Sequence, residues 1–250
     1  MQKMTQPIPQ TKASQLFDKA IALGKQKNPS EFTIHSLKRD LLHELKHEPV
    51  VSHIALGVLA AMEWNIKDLH KHHNCSISLK DCAWTRDNYA ISLAHVGLYH
   101  DAAEQVILAS EMEPENLTFL TRAIHWSTIS GMFPKALELT HTFTQRGGQM
   151  SSLIDAKLIS ESLIKLGIPE DEFSETQKLA FELLREHKIS HEGTRAEIGY
   201  CQEDQSIYFE ISVATDSKTA VDLECALAIR LNDSLPEWHA DKLILGFVPK

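Results

Sequence analysis

Cysteine is scarce in this sequence: four of 250 residues, Cys75, Cys82, Cys201 and Cys225, at irregular spacing. A disulfide framework uses more cysteines at closer intervals, so the chain is predicted to keep its thiols reduced. Because reduced thiols are typical of a reducing compartment, we expect a cytoplasmic protein.

Long apolar runs are also missing. The longest, Ile54 to Met62, is far shorter than the roughly 20 residues of a membrane-spanning helix. Residues 1–12 contain no apolar core of the kind a secretory signal requires. We therefore expect no membrane partner and no secretion.

Basic charge is in short supply, since 34 acidic residues outnumber 25 basic ones and the formal net charge is -9. An acidic surface repels phosphate backbones, and no basic patch interleaved with aromatic residues is present, so no nucleic-acid partner is expected. The sequence also lacks a glycine-rich phosphate loop and a Gly-x-Ser-x-Gly elbow. These absences predict a protein that is not an enzyme and binds no cofactor.

Helical periodicity is abundant between residues 10 and 188. Apolar residues recur there every three or four positions, the spacing of one helical face, as in Ile34, Leu37 and Leu41. The segment 72–81 is polar and lacks this period, so it is predicted to be a long loop or a seam between subdomains.

From Trp84 onward the predicted helices come in pairs, and the pairs repeat. Gly97 and Gly131 are 34 residues apart, and so are Ala102 and Ala136. Each glycine lets the backbone turn sharply between two helices, and each small alanine lets the second helix pack closely against the first.

With Pro114 closing the first pair, this pattern resembles the tetratricopeptide repeat (TPR) family, most clearly over residues 84–147. The second copy is degenerate, because Gly148 stands where the first has its proline. A third pair around Gly167 fits only as a related hairpin. The resemblance implies a stack of antiparallel helical hairpins.

The pattern changes after His187. Alternating apolar residues up to Tyr200 and again from Ile207 to Val213 predict a β-hairpin. Asp216 is a plausible N-cap for a helix, and Leu243 to Val248 read as a final strand.

The predicted fold class is therefore mainly α, a TPR-like stack with a small C-terminal α/β unit of ββαβ order. We predict three regions: residues 1–80 as an N-terminal helical region, 81–190 as TPR-like hairpin repeats, and 191–250 as the α/β unit.

One string invites a metal hypothesis. His43, Glu44 and His47, followed by His53, resemble the zinc-peptidase signature of the metzincins, in which histidines bind Zn²⁺ and the glutamate acts as a base. Val50 stands where that family has a glycine, and no strand pattern precedes the helix. A zinc-dependent peptidase is therefore the enzymatic alternative rather than the main prediction.

A second group of potential ligands is His70, His72, His73 and Cys75, with Cys82 seven residues later. Imidazole and thiolate suit zinc or copper. No Cys-x-x-Cys pair anchors the group, so a solvated polar loop is the competing interpretation. We predict no metal site.

In TPR proteins the first helices of successive pairs line the groove that holds a partner segment, and that resemblance supplies the candidate site. The candidate groove residues are Trp84, Asp87, Ile91, His95, Thr121, His125 and Thr128. The carboxylate-clamping TPR proteins use lysines and asparagines in this groove, but Asp87 and Ile91 occupy such positions here. An acidic chain terminus is therefore not the expected ligand.

The sequence thus predicts a non-catalytic scaffold or adaptor that binds a protein or peptide segment, apolar or mildly basic, through a TPR-like groove. A small-ligand sensor acting through the α/β unit is a further alternative. The edge strands of the hairpin could also form a homodimer by strand pairing.

Overall fold

The protein is described by a computed structural model over residues 11–24, 26, 29–149, 155–189, 196–235 and 237–249. These residues form eleven α-helices and one three-stranded sheet. No helix in these ranges has the length and apolar character required to cross a membrane. The chain divides into two compact units, one up to Asp81 and one from Cys82 onward.

The first unit consists of four helices: α1 (Lys12–Gly24), α2 (Glu31–Glu44), α3 (Pro49–Met62) and α4 (Ile66–Leu79). Their apolar faces meet in one core, which contains Leu16, Leu41 and Leu59. Pro49 begins α3 at a first-turn position, where its missing N–H leaves no helical hydrogen bond unmade. The periodicity of residues 31–45 therefore marks a real helix, and Pro49 starts the next one.

Helix α4 corrects the loop predicted at 72–81, because it continues to Leu79. The side chain of Asn65 caps it by accepting a hydrogen bond from the Asp68 N–H. Its buried positions, Leu69, His73 and Ser76, have helical spacing, but two of them are polar. A periodicity read from apolar residues alone therefore missed this helix.

The second unit begins with six helices: α5 (Ala83–His95), α6 (Tyr99–Met112), α7 (Leu117–Ile129), α8 (Phe133–Gln145), α9 (Ala156–Leu166) and α10 (Glu170–Glu186). From α5 to α9 each helix packs against the next along the chain, as in a helical repeat fold. Gly97, Gly131 and Gly167 follow α5, α7 and α9 with φ near +75°, a conformation that favours glycine. Ala102 and Ala136 are fully buried at the start of α6 and α8.

The chain then forms the predicted α/β element. Strands β1 (Ala196–Cys201) and β2 (Ser206–Val213) pair antiparallel, helix α11 (Ser217–Ser234) follows, and β3 (Leu243–Pro249) pairs parallel to β2. The strand order β1-β2-β3 leaves β2 in the centre. The fold class, mainly α with a small α/β unit, is confirmed.

The sheet shares its hydrophobic core with the helices that precede it. Phe209 of β2 has its ring 6.4 Å from that of Phe173 and 5.9 Å from that of Phe181, both on α10. His239 is also tied to α10, because its backbone N–H donates to a carboxylate oxygen of Glu172 at 2.8 Å. The three predicted domain boundaries remain predictions.

Candidate functional site

The predicted groove lies on α5 and α7, and we call its seven residues the α5–α7 face: Trp84, Asp87, Ile91, His95, Thr121, His125 and Thr128. Trp84 and Ile91 are large apolar residues that stay exposed, at 40% and 41%. They are seven residues apart on α5, which places them two turns apart on one side of the helix. Exposed apolar side chains in this arrangement can anchor a partner.

An ion pair joins the two helices of this face. Arg122 on α7 donates from Nη1 to a carboxylate oxygen of Asp87 on α5. The Asp87 side chain is only 13% exposed, so solvent screens the pair less than it would a surface pair. Arg122 also places its guanidinium 5.6 Å from the ring centroid of Trp126. Sequence reasoning missed Arg122, although its separation of 35 residues from Asp87 is close to the repeat length.

The histidines of the face are neutral at physiological pH. Burial lowers the pKa of both His95 and His125 below the ordinary value of 6.5. They therefore add hydrogen-bonding capacity to the face without adding positive charge.

The two threonines differ from each other. Thr121 is partly exposed, and its hydroxyl donates to the Leu117 carbonyl at 2.8 Å. Thr128 is fully buried and donates to the Ile124 carbonyl at 2.8 Å. Thr128 is therefore part of the packing of α7 and does not reach the surface where it was expected.

The histidines of the zinc-peptidase alternative do not converge. His43 lies in the last turn of α2 and His47 in the turn that follows it, with ring centroids 6.1 Å apart, whereas His53 lies on α3. Within the described residues, which include all three, they form no common cluster of metal-ligand atoms. Glu44 is held by Lys12, which donates to its carboxylate at 2.6 Å and lowers the pKa of that carboxyl. The three histidines therefore do not place their ring nitrogen atoms around one common metal position.

His70, His72, His73 and Cys75, the second group of potential ligands, all lie along α4. The Nδ1 atom of His72 is 3.0 Å from the Nδ1 atom of His53, and burial lowers the pKa of His72 to about 4. His73 is fully buried beside Gly57 of α3. A β-carbon at Gly57 would lie 2.5 Å from the His73 ring, so only glycine permits this approach. Cys75 is a free, partly exposed thiol.

A cavity of about 580 Å³ opens elsewhere in the second unit, between the turns that follow α5 and α7 and one side of α10. Its apolar wall includes Tyr99, Ile129 and Phe181, and the Tyr99 and Phe181 rings are 4.4 Å apart. Burial raises the pKa of the Tyr99 hydroxyl well above its usual range, so that group stays protonated. No signal in the sequence predicted this cavity, because its walls are distant in the chain.

The α10 wall of the cavity includes a buried polar residue with unmet hydrogen bonds. Gln177 on α10 lines the cavity and is 1% exposed. Neither its Oε1 nor its Nε2 atom has a hydrogen-bond partner. Buried polar groups are nearly always hydrogen-bonded, so the unpaired amide of Gln177 is an exception within the packed core around α10.

Acidic groups lie at the mouth of this cavity. His100 and Asp101 line it at the start of α6, and together with Glu104 they bring three potential ligand atoms within 4.8 Å of one another. His100 and Glu104 are exposed to solvent. The cluster gives this edge of the cavity a negative character.

No protein-family model, no curated protein and no solved structure matches this chain. Function must therefore be inferred from the geometry of the face.

Proposed function

We propose that this protein is a non-catalytic adaptor that binds a segment of another protein across the α5–α7 face. The observation that carries the proposal is the exposure of Trp84 and Ile91 on one side of α5. Tryptophan is strongly enriched among the residues that dominate binding energy at interfaces. Two apolar anchors two turns apart suit an extended or helical segment that presents apolar side chains at a similar spacing.

The charges support a partner segment that is apolar with basic flanks. Asp87 and Arg122 neutralise each other, so the centre of the face contributes no net charge. The chain as a whole carries a formal charge of -9 and attracts basic segments at a distance. Apolar anchors would then supply affinity, and the acidic surroundings would supply orientation and a faster encounter.

The helical pairs that carry the face fit a TPR-like repeat. Gly97 and Gly131 end the first helices in the same left-handed conformation, and Ala102 and Ala136 are fully buried at matching positions of the second helices. This periodic use of glycine and alanine supports the TPR-like assignment. In such repeats the first helices are the ones that commonly contact a partner.

We place this activity in the cytoplasm. All four cysteines are free thiols, and Cys225 is exposed to solvent. An exposed thiol persists in a reducing compartment and is at risk of oxidation elsewhere.

Site-directed photo-crosslinking in cells tests the proposal. A photoreactive amino acid at position 91 should trap a defined partner, and Trp84→Ala should abolish that product because the loss of a dominant apolar anchor weakens binding roughly thirtyfold or more. Position 164 provides the control: Ile164 on α9 is 74% exposed in the same unit but lies outside the face. Equal products from positions 91 and 164, or a product at 91 that survives Trp84→Ala, would refute the proposal.

A further inference from the structure

We propose that helix α11 pairs two-fold with the α11 helix of a second copy of this chain. The contact surface is an exposed apolar stripe on α11, which consists of Val221, Cys225, Ala228 and Ile229. This α11 stripe is separate from the α5–α7 face and does not depend on the function proposed for that face. The inference rests on the exposure of the stripe, on its symmetry about Cys225 and on the charges near its ends.

Helix α11 is apolar on two sides. One side packs into the core through residues spaced at three and four, namely Ala220, Leu223, Leu227 and Leu231. The other side is the α11 stripe, in which Val221 and Ile229 are 54% and 63% exposed. Cys225 and Ala228 between them are also exposed. A helix at the surface ordinarily presents polar residues outward, so an exposed apolar stripe indicates a contact with another chain.

The α11 stripe points away from α10 and lies beside the edge strand β3. Arg230 forms an ion pair with Glu186 on α10, so it marks the side of α11 that faces that helix. At about 100° per residue, Val221 lies about 180° around the helix from Arg230. On the β3 side, Glu224 accepts the backbone N–H of Phe247 at 3.0 Å. A second copy therefore has access to the stripe, and the same two-fold contact can include the edge of β3.

The stripe is symmetric about Cys225. Val221 precedes Cys225 by four residues, and Ile229 follows it by four. A two-fold axis at Cys225 sets the two helices antiparallel and brings Val221 of each copy level with Ile229 of the other. The two large exposed side chains of each copy are then covered by those of the other. The small side chains of Cys225 and Ala228 allow the helices to approach closely at the centre.

The charges near the ends of the stripe are complementary in the same arrangement. Lys218 lies seven residues before Cys225 and Asp233 eight residues after it, so Lys218 comes level with Asp233 of the second copy to within one residue. Both are rotated in the same sense from Cys225, by about 20° and 80°, which keeps them on a common side of the helix pair.

This complementarity favours a second copy as the occupant. Lys218 and Asp233 are exposed, and neither forms an ion pair within the part of the chain that the structure describes. The antiparallel dimer contains the Lys218–Asp233 pair twice, because the contact is isologous. A parallel pairing of the helices would instead set Lys218 against Lys218, and like charges oppose association.

Analytical ultracentrifugation of the full chain tests the proposal at a fixed salt concentration. We expect a monomer–dimer equilibrium with a dissociation constant below about 100 μM. Ile229→Glu should weaken dimerisation about tenfold or more, because each dimer would then bury two carboxylates in an apolar contact. Ile164→Glu alters an exposed isoleucine on α9 of the same unit and is the matched control, which should leave the dissociation constant unchanged.

A charge exchange tests the antiparallel register. Lys218→Glu should weaken dimerisation about tenfold, because it sets two acidic groups against each other at both ends of the contact. Adding Asp233→Lys to this variant restores the attraction with the charges reversed, and the dissociation constant should return to within about threefold of the wild-type value. Both residues are exposed, so neither substitution disturbs the core.

Cross-linking with a short bis-maleimide reports the position of the axis. The reagent should link two wild-type chains covalently, and Cys225→Ser should remove that product. The proposal is overturned if the wild type is monomeric at about 100 μM, if Ile229→Glu dimerises as tightly as the wild type, or if exchanging both charges fails to restore dimerisation. A dimer that survives Ile229→Glu and is lost in Ile244→Lys would assign the contact to β3 alone and would also overturn it.

Discussion

Acid should destabilise the first unit of this protein through one buried histidine. His73 is fully buried on α4, and burial lowers its pKa from the ordinary 6.5 to about 3, with His72 and His70 adding repulsion. Between these two values the unfolded chain binds a proton that the folded chain excludes, so stability falls as the pH falls. The contribution is complete above pH 6.5, and at pH 4.5 about 3 kcal/mol of it should be lost, since each pKa unit corresponds to about 1.4 kcal/mol.

The variant His73→Gln separates this effect from general acid denaturation. We expect the variant to be less stable than the wild type at pH 7.5. Because glutamine does not titrate, only the wild type loses the histidine contribution at low pH, so the difference in stability should shrink or reverse by about 3 kcal/mol at pH 4.5. Urea unfolding can be followed through the fluorescence of Trp64, with the tryptophans of the second unit replaced by phenylalanine. His141→Gln, at an exposed position on α8, is the control. If the wild type and His73→Gln lose stability in parallel between the two pH values, the buried neutral histidine is not the cause.

Two further predictions concern the second unit. In a double-mutant cycle with Asp87→Ala and Arg122→Ala, chemical unfolding should give a coupling energy of about 1 kcal/mol, because solvent screens this partly buried ion pair less than a surface pair. A coupling energy near zero would show that the ion pair does not stabilise the fold. A homodimer by strand pairing was expected at the hairpin, but its strand β2 lies in the centre of the sheet. The strand order places β3 at an edge, and its Ile244 and Val248 are 49% and 41% exposed, so we expect pairing through β3. Light scattering should show a dimer that Ile244→Lys converts to a monomer, since a charge on an edge strand opposes pairing, and a wild-type monomer would contradict it.

The parts of the fold that could be predicted from the sequence are those encoded by local patterns. Gly97 and Gly131 combine a repeat spacing with a backbone conformation that favours glycine, so both turns were predictable. In β2, the alternation of Ile207 and Phe209 with polar neighbours places both side chains in the core, as the period of two requires. These features depend on neighbours a few residues away, and a single sequence contains that information.

The features that escaped prediction depend on contacts between distant segments. Residues 72–79 are helical because His73 and Ser76 are buried against other helices, and their polar character conceals the helical face. Nothing in the sequence distinguishes Gln177, and its burial with an unpaired amide depends on the residues packed around it. Thr128 was expected at the surface on the basis of an idealised repeat, but it faces the core of the unit.

The C-terminal α/β element also has a structural role in the helical stack. Phe209 of the sheet contacts Phe173 and Phe181 of α10, and these in turn contact Phe133 of α8 and Tyr99 of α6. A repeat array leaves the apolar face of its last helices uncovered unless another element packs on it. The sheet supplies that cover, because its buried face continues the core of α9 and α10 without interruption. Removing the α/β element should therefore expose a large apolar surface on α10, the helix that also forms one wall of the cavity.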